Sequence, residues 1–205
     1  LQESIEELAE KISKAQILAI PGGFSLGDEP GGSGKFIANV IRSEKVKKAI
    51  ETLLDDNDGL ILGICNGFQA LVKTGLLPYG KIKDLEEDDQ TLTYNTCSRH
   101  IARVVDTVVM SNNSPWLAKL DEGKTYKVPI SHGEGRFIAS EEAIKEILDK
   151  EQVALCYADA PNGSALNVEA LMSEDGKILG KMGHSERFVE NTCLLYTSPS
   201  PRDAT

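Results

Sequence analysis

Gly63-Ile64-Cys65-Asn66-Gly67 sets a cysteine between two glycines, after the apolar run Leu60-Ile61-Leu62 and before a helical pattern from Phe68 to Lys73 that Gly75 ends. A nucleophile at a strand-to-helix turn between glycines is a nucleophile elbow, here with Cys in place of Ser. The turn is too tight for flanking side chains, so glycine is required on both sides. It also aims the positive end of the following helix at the sulfur, which favours the thiolate, the reactive form. The chemically silent alternative is a small buried cysteine packed between glycines.

A cysteine nucleophile needs a base, and the base needs an orienting acid. His184-Ser185-Glu186 and His132-Gly133-Glu134 both place an acid two residues after an imidazole. In extended backbone both side chains of such a pair point the same way. Spacing alone does not choose between them. The third histidine, His100, follows Cys97 by three residues, but without a second ligand pair nearby it makes a poor zinc site. Neither H-x-E is followed by the P-C-x-x-C of zinc deaminases, so no metal is expected.

Two glycine-rich stretches remain. Gly31 to Lys35 invites a phosphate-binding reading, but Glu29 stands where a P-loop has its first glycine and Phe36 where it has Ser or Thr. Pro21-Gly22-Gly23, at the end of an apolar run, lets a backbone N–H approach a reacting carbonyl. Gly23 would then supply half of an oxyanion hole and the N–H of Asn66 the other half. An ordinary tight turn is the alternative.

The elements that must hold these groups follow from periodicity. Residues 2–14 read as an amphipathic helix, 16–20 and 58–64 as buried strands, and 36–41 and 46–54 as helices. Strand, helix, strand, helix with apolar strands predicts an α/β fold, a mostly parallel sheet with helices on both faces. The second half is richer in strands, at 103–110, 124–130, 153–157, 167–172 and 178–181, with one helix at 141–150. Glu174-Asp175-Gly176-Lys177 reads as a hairpin turn between the last two strands.

Length and charge set the frame. The 205 residues suffice for one domain, and 22 basic against 32 acidic residues give a net charge of −10. That balance repels nucleic acid and anionic membranes. Cys65, Cys97, Cys156 and Cys193 form no C-x-x-C pair and read as reduced thiols of the cytoplasm. Residues 192–205, ending in Ser198-Pro199-Ser200-Pro201, match no packing pattern upstream and read as a non-native tail after one domain over 1–191.

Taken in order, these motifs resemble class I glutamine amidotransferase domains, and within them the glutaminase part of phosphoribosylformylglycinamidine synthases. The resemblance is carried by Pro21 to Ser25 with Gly27 to Pro30, Gly63 to Gln69, Ser131 to Phe137, Pro161 to Ser164 and Gly180 to Arg187. It implies a flavodoxin-like sheet whose first βα unit precedes Leu1 and forms part of the glutamine-site wall. By the resemblance Cys65 is the nucleophile, His184 the base and Glu186 its orienter, with Gly23 and Asn66 at the oxyanion hole. Gln69, His132, Gly133 and Glu134 shape the glutamine pocket. The implied activity is hydrolysis of glutamine through a cysteine thioester. Ammonia then travels through a channel to a synthetase part, fused or separate, which binds ATP and Mg²⁺; this chain itself takes no cofactor. A cysteine peptidase on the same kind of sheet and a catalytically silent binding domain are the alternatives from other classes.

Overall fold

The computed structural model describes residues 2–23, 34–189 and 192–193. The Phe24 to Pro30 part of the motifs and Gly31 to Ser33 lie outside them.

Helix α1 (Gln2–Ser13) turns Ile12 into the core with Ile5 and Ala9 beside it, while Glu7–Lys11 and Glu10–Lys14 pair along its wet side. Strand β1 (Ile17–Ile20) follows and ends at Pro21. Helices α2 (Lys35–Arg42) and α3 (Glu44–Glu51) are separated by Ser43, and α3 continues as a π-turn over Thr52–Asp56. Strand β2 (Leu60–Ile64) leads straight into α4 (Asn66–Thr74), which Gly75 ends at φ 81° as sequence predicts. After α5 (Leu76–Tyr79) come β3 (Thr91–Tyr94), β4 (Ile101–Val109), β5 (Thr125–His132) and β6 (Glu134–Ile138). Helix α6 (Glu141–Asp149) is capped by the Ser140 hydroxyl, which accepts from the Ala143 N–H. Strands β7 (Val153–Tyr157), β8 (Val168–Met172), β9 (Ile178–Lys181), β10 (Phe188–Val189) and β11 (Thr192–Cys193) complete the described residues.

Seven strands form one sheet in the order β1-β2-β9-β8-β7-β4-β5. The class is α/β, as expected, but the sheet is mixed rather than mostly parallel. Only β1–β2 and β2–β9 are parallel, and the other four pairings are antiparallel. The physical reason is the length of the connections. A four-residue turn at Glu174 to Lys177, with Gly176 at φ 72°, can only fold β9 back beside β8, whereas parallel neighbours need a crossover. The parallel strands are therefore confined to the part of the sheet that carries Cys65.

Alternate residues along the strands enter two clusters, as a pleated sheet requires. Ile61, Leu171 and Ile178 face Phe68, Leu71 and Ile50 of the helices. Leu62, Ala170 and Leu179 face the other way, against Trp116, Leu117 and Leu120, which lie in turns rather than on a helix. A pair of strands that sequence did not anticipate, β3 with β6, forms a separate antiparallel ribbon. Strands β10 and β11 pair across the boundary expected between residues 191 and 192, with Phe188 opposite Cys193.

Candidate active site

The site begins at the junction of β2 and α4. Cys65 sits there at φ 52°, ψ −104°, conformational space that a side-chain-bearing residue rarely occupies. Its backbone is held on both sides: its N–H donates to the Lys181 carbonyl of β9 at 2.8 Å, and its own carbonyl accepts the Gln69 N–H at 3.0 Å. The neighbouring glycines are demanded by space. A Cβ on Gly63 would stand 2.5 Å from Leu71 Cδ1, and one on Gly67 would collide with the Ile20 carbonyl of β1. The close approach of α4 to two strands thus forces the elbow, and the elbow presents the thiol at the helix N-terminus.

His184 reaches Cys65 from the end of β9. Its N–H donates to the Pro129 carbonyl at 2.8 Å, and its ring is buried, with 2% of its side chain exposed. A short 3-10 turn (Ser185–Arg187) brings Glu186 back, so that Nδ1 meets Oε1 at 2.6 Å. Extended backbone is one way for H-x-E to bring the two side chains together; the turn achieves the pairing by another backbone path. Since a carboxylate only accepts, Nδ1 carries the proton and Nε2 offers a lone pair. Nε2 is buried and, among the described residues, has no hydrogen-bond partner of its own. A Cβ built on Gly22 would lie 2.8 Å from His184 Cε1 and 3.2 Å from Cys65 Cβ, so imidazole and cysteine crowd one point.

His132, the other candidate base, is held differently. Asn95 Nδ2 donates to the carbonyls of His132, at 2.8 Å, and Arg99, at 2.9 Å, which leaves Oδ1 facing His132 Nδ1 at 3.0 Å. Glu134 is not the partner of that ring nitrogen. Burial pushes the His132 pKa down to about 4, with the charges of His100 and His184 adding to it. His132 is therefore neutral at pH 7.

Gly23, Cys65, Asn66, Gln69, His132, Gly133, Glu134 and His184 all line one small cavity of about 110 Å³. Glu186 stands behind His184 with its side chain 46% exposed. Gly23 takes φ 142°, a conformation open to glycine, and among the described residues a Cβ there meets nothing. The Gln69 carboxamide is already engaged, donating to the Glu134 carbonyl and accepting from Asn66 Nδ2 at 3.3 Å. It braces the wall that β6 begins. Asn162 braces it from outside, donating through Nδ2 to the Gly135 carbonyl at 2.8 Å, while the Ser164 hydroxyl accepts the Phe137 N–H at 3.1 Å.

Sequence reasoning missed four contributors. Tyr94, Ser131 and Arg187 also line the cavity, and Gly22 keeps open the space between histidine and cysteine. Gly22 and Ser131 each adjoin a residue that sequence did select. Tyr94 arrives through the unanticipated β3–β6 ribbon. Among the described residues, no group of three His, Cys, Asp or Glu side chains is placed to hold a metal ion.

A thiol at an elbow, an imidazole tied through Nδ1 to a carboxylate and glycine backbone lining the same cavity suit acyl transfer. A family model described as a CobB/CobQ-like glutamine amidotransferase domain matches residues 2–203. The chain belongs to this family. Glutamine amidotransferase relatives agree in both sequence and shape. Subunit PurQ of phosphoribosylformylglycinamidine synthase from Prochlorococcus marinus (strain MIT 9312) is 32% identical over 181 residues, 88% of this chain and 74% of that protein. The structure of PurLQS from Thermotoga maritima matches with a TM-score of 0.67 and 31% identity, over 86% of this chain and 72% of that one. The glutaminase domain of Trypanosoma brucei CTPS, solved with bound acivicin, shares the fold at a TM-score of 0.54 and 15% identity, over 90% of this chain and 68% of that one. The glutamine amidotransferase fold thus extends to partners of low identity. Among the described residues, no helix is long and apolar enough to cross a membrane.

Proposed function

We propose that this domain is the glutaminase part of a phosphoribosylformylglycinamidine synthase, a ligase of purine biosynthesis that takes its nitrogen from glutamine. The observation that carries the reading is the placement of Cys65 beside a His184 whose Nδ1 is tied to Glu186 at 2.6 Å. The kinship to PurQ supports it.

In this reading His184 Nε2 takes the Cys65 proton, and the thiolate attacks the carbon of the glutamine side-chain carboxamide. The carbonyl oxygen becomes an oxyanion facing the N–H groups of Gly23 and Asn66. His184, now imidazolium and steadied by Glu186, returns its proton to the departing nitrogen, and the C–N bond breaks to release ammonia. A water molecule, deprotonated by the same imidazole, then attacks the glutamyl thioester, giving glutamate and free Cys65. Gln69, His132, Gly133 and Glu134 form the wall against which glutamine lies. Ammonia passes to a synthetase partner, which supplies the ATP and Mg²⁺ chemistry; this domain supplies only the ammonia.

The test is glutamate release from glutamine by the intact protein together with its synthetase partner. Cys65→Ala is expected to abolish release and to abolish labelling by a diazo-ketone analogue of glutamine. Release that persists in the alanine variant refutes the reading.

A further inference from the structure

Glu169 of β8 is a carboxylate with no exposed surface, and the chemistry above makes no use of it. Burying such a group is costly unless its hydrogen bonds meet a specific need. Its partners locate that need. Glu169 Oε1 accepts the Gly183 N–H at 2.6 Å, and the Glu169 backbone carbonyl accepts the Met182 N–H at 3.0 Å. The next amide, that of His184, donates to Pro129. Three successive peptide groups leaving β9 are therefore pinned, two of them by one residue.

No strand partner could replace the side chain. The pairing of β8 with β9 ends at Ala170 opposite Lys181, so Gly183 lies beyond the ladder. Gly183 itself is bare because the space is taken: a Cβ there would stand 2.5 Å from Glu169 Oε1 and 2.7 Å from Val128 Cγ2. Lys181, where the bend begins, is also the residue whose carbonyl holds the Cys65 N–H. Nucleophile and base thus hang from the same short stretch, and the Glu169–Gly183 bond sets how that stretch turns.

We propose that Glu169 is a positioning residue for His184, fixing the imidazole over Cys65 through the Gly183 peptide. The proposal rests on His184 acting as the base. Two variants separate reach from charge, measured in the full chain with its synthetase partner. Glu169→Gln keeps an acceptor at the same reach, and Glu169→Asp keeps the charge but falls one methylene short.

Glutamine hydrolysis by Glu169→Asp is expected to lose roughly 30- to 100-fold in kcat with KM within about twofold, the cost of a misplaced catalytic group. Glu169→Gln is expected to stay within about threefold of wild type in both parameters. Ammonia-dependent turnover by the synthetase is expected to be unchanged in both, which shows that the assembly is intact. Wild-type kcat in both variants overturns the proposal. So does loss in Glu169→Gln alone, which assigns the effect to charge, and so does equal loss in both, which assigns it to general disturbance of the buried position. A rise in KM at constant kcat, or failure of either variant to fold, also overturns it in favour of a structural role. If wild type and Cys65→Ala do not differ in glutamate release, it is the functional reading that has failed.

Discussion

Gly22→Ala is the smallest change that should disarm the site without touching a reacting group. The added methyl carbon would stand 2.8 Å from His184 Cε1, 3.2 Å from Cys65 Cβ and 3.5 Å from the Ile64 carbonyl oxygen. Carbon atoms rest at about 3.5–4.0 Å, so the imidazole must retreat by about 0.7–1.2 Å. It cannot retreat freely. Nδ1 is bound to Glu186 at 2.6 Å, and the His184 N–H is bound to Pro129 at 2.8 Å. Nor can the cysteine yield, because its amide is bound to Lys181 and its φ is already 52°. The retreat therefore appears as a longer path between Nε2 and the sulfur. A displacement near 1 Å costs about 10²-fold in rate, or roughly 2.7 kcal/mol of activation free energy. Gly22 lies away from the positive-φ region, so the backbone itself tolerates alanine. The assay is steady-state glutamate release by the intact protein with its synthetase partner, alongside the rate of Cys65 labelling by the diazo-ketone analogue. We expect kcat to fall about 10²-fold, KM to change little and labelling to slow in parallel. A wild-type kcat in the alanine variant, with an unchanged melting temperature, would refute the steric argument.

Two further outcomes follow from the site. Glu186→Gln removes the charge behind His184 and is expected to lower kcat by roughly two to four orders of magnitude with KM nearly constant; activity within tenfold of wild type would show that the bond at Nδ1 does not orient the base. His132 gives stability a pH dependence. Its folded pKa, about 4, lies below its ordinary value of 6.5, so between these values the unfolded chain holds a proton that the folded one does not. Stability is whole above pH 6.5 and falls as pH drops towards 4, by roughly 3 kcal/mol in all. Urea unfolding across that range should show the slope, and His132→Gln should flatten it; an unchanged slope in the variant would assign it to other groups.

The elbow was legible because its requirements are local. A strand, a cysteine between glycines and a helix are adjacent in the chain, and the clash that excludes a side chain at Gly63 comes from the helix that follows, although the one at Gly67 comes from Ile20 of β1. Gly75 as a helix stop and the Glu174 to Lys177 hairpin were legible for the same reason. The ribbon of β3 and β6 was not, because neither strand carries a long alternating pattern and their partnership spans some forty residues of chain. The mixed sheet was missed because strand direction depends on how each connection returns.

The sequence by itself determined the cysteine between glycines at a strand-to-helix turn, the two H-x-E candidates, the order of most strands and helices and the family resemblance, since each is written in neighbouring residues or in the order of motifs. Spacing could not decide between His132 and His184, which offer the same pattern. The tertiary structure separated them: Glu186 turns back onto His184 Nδ1, whereas Asn95, far from His132 in sequence, occupies the equivalent atom of that ring. Only packing could likewise reveal Gly22 as the space between base and nucleophile, or Glu169 as the support beneath Gly183. Contacts of that kind join residues whose separation in the chain has no bearing on their distance in space, so no periodicity records them.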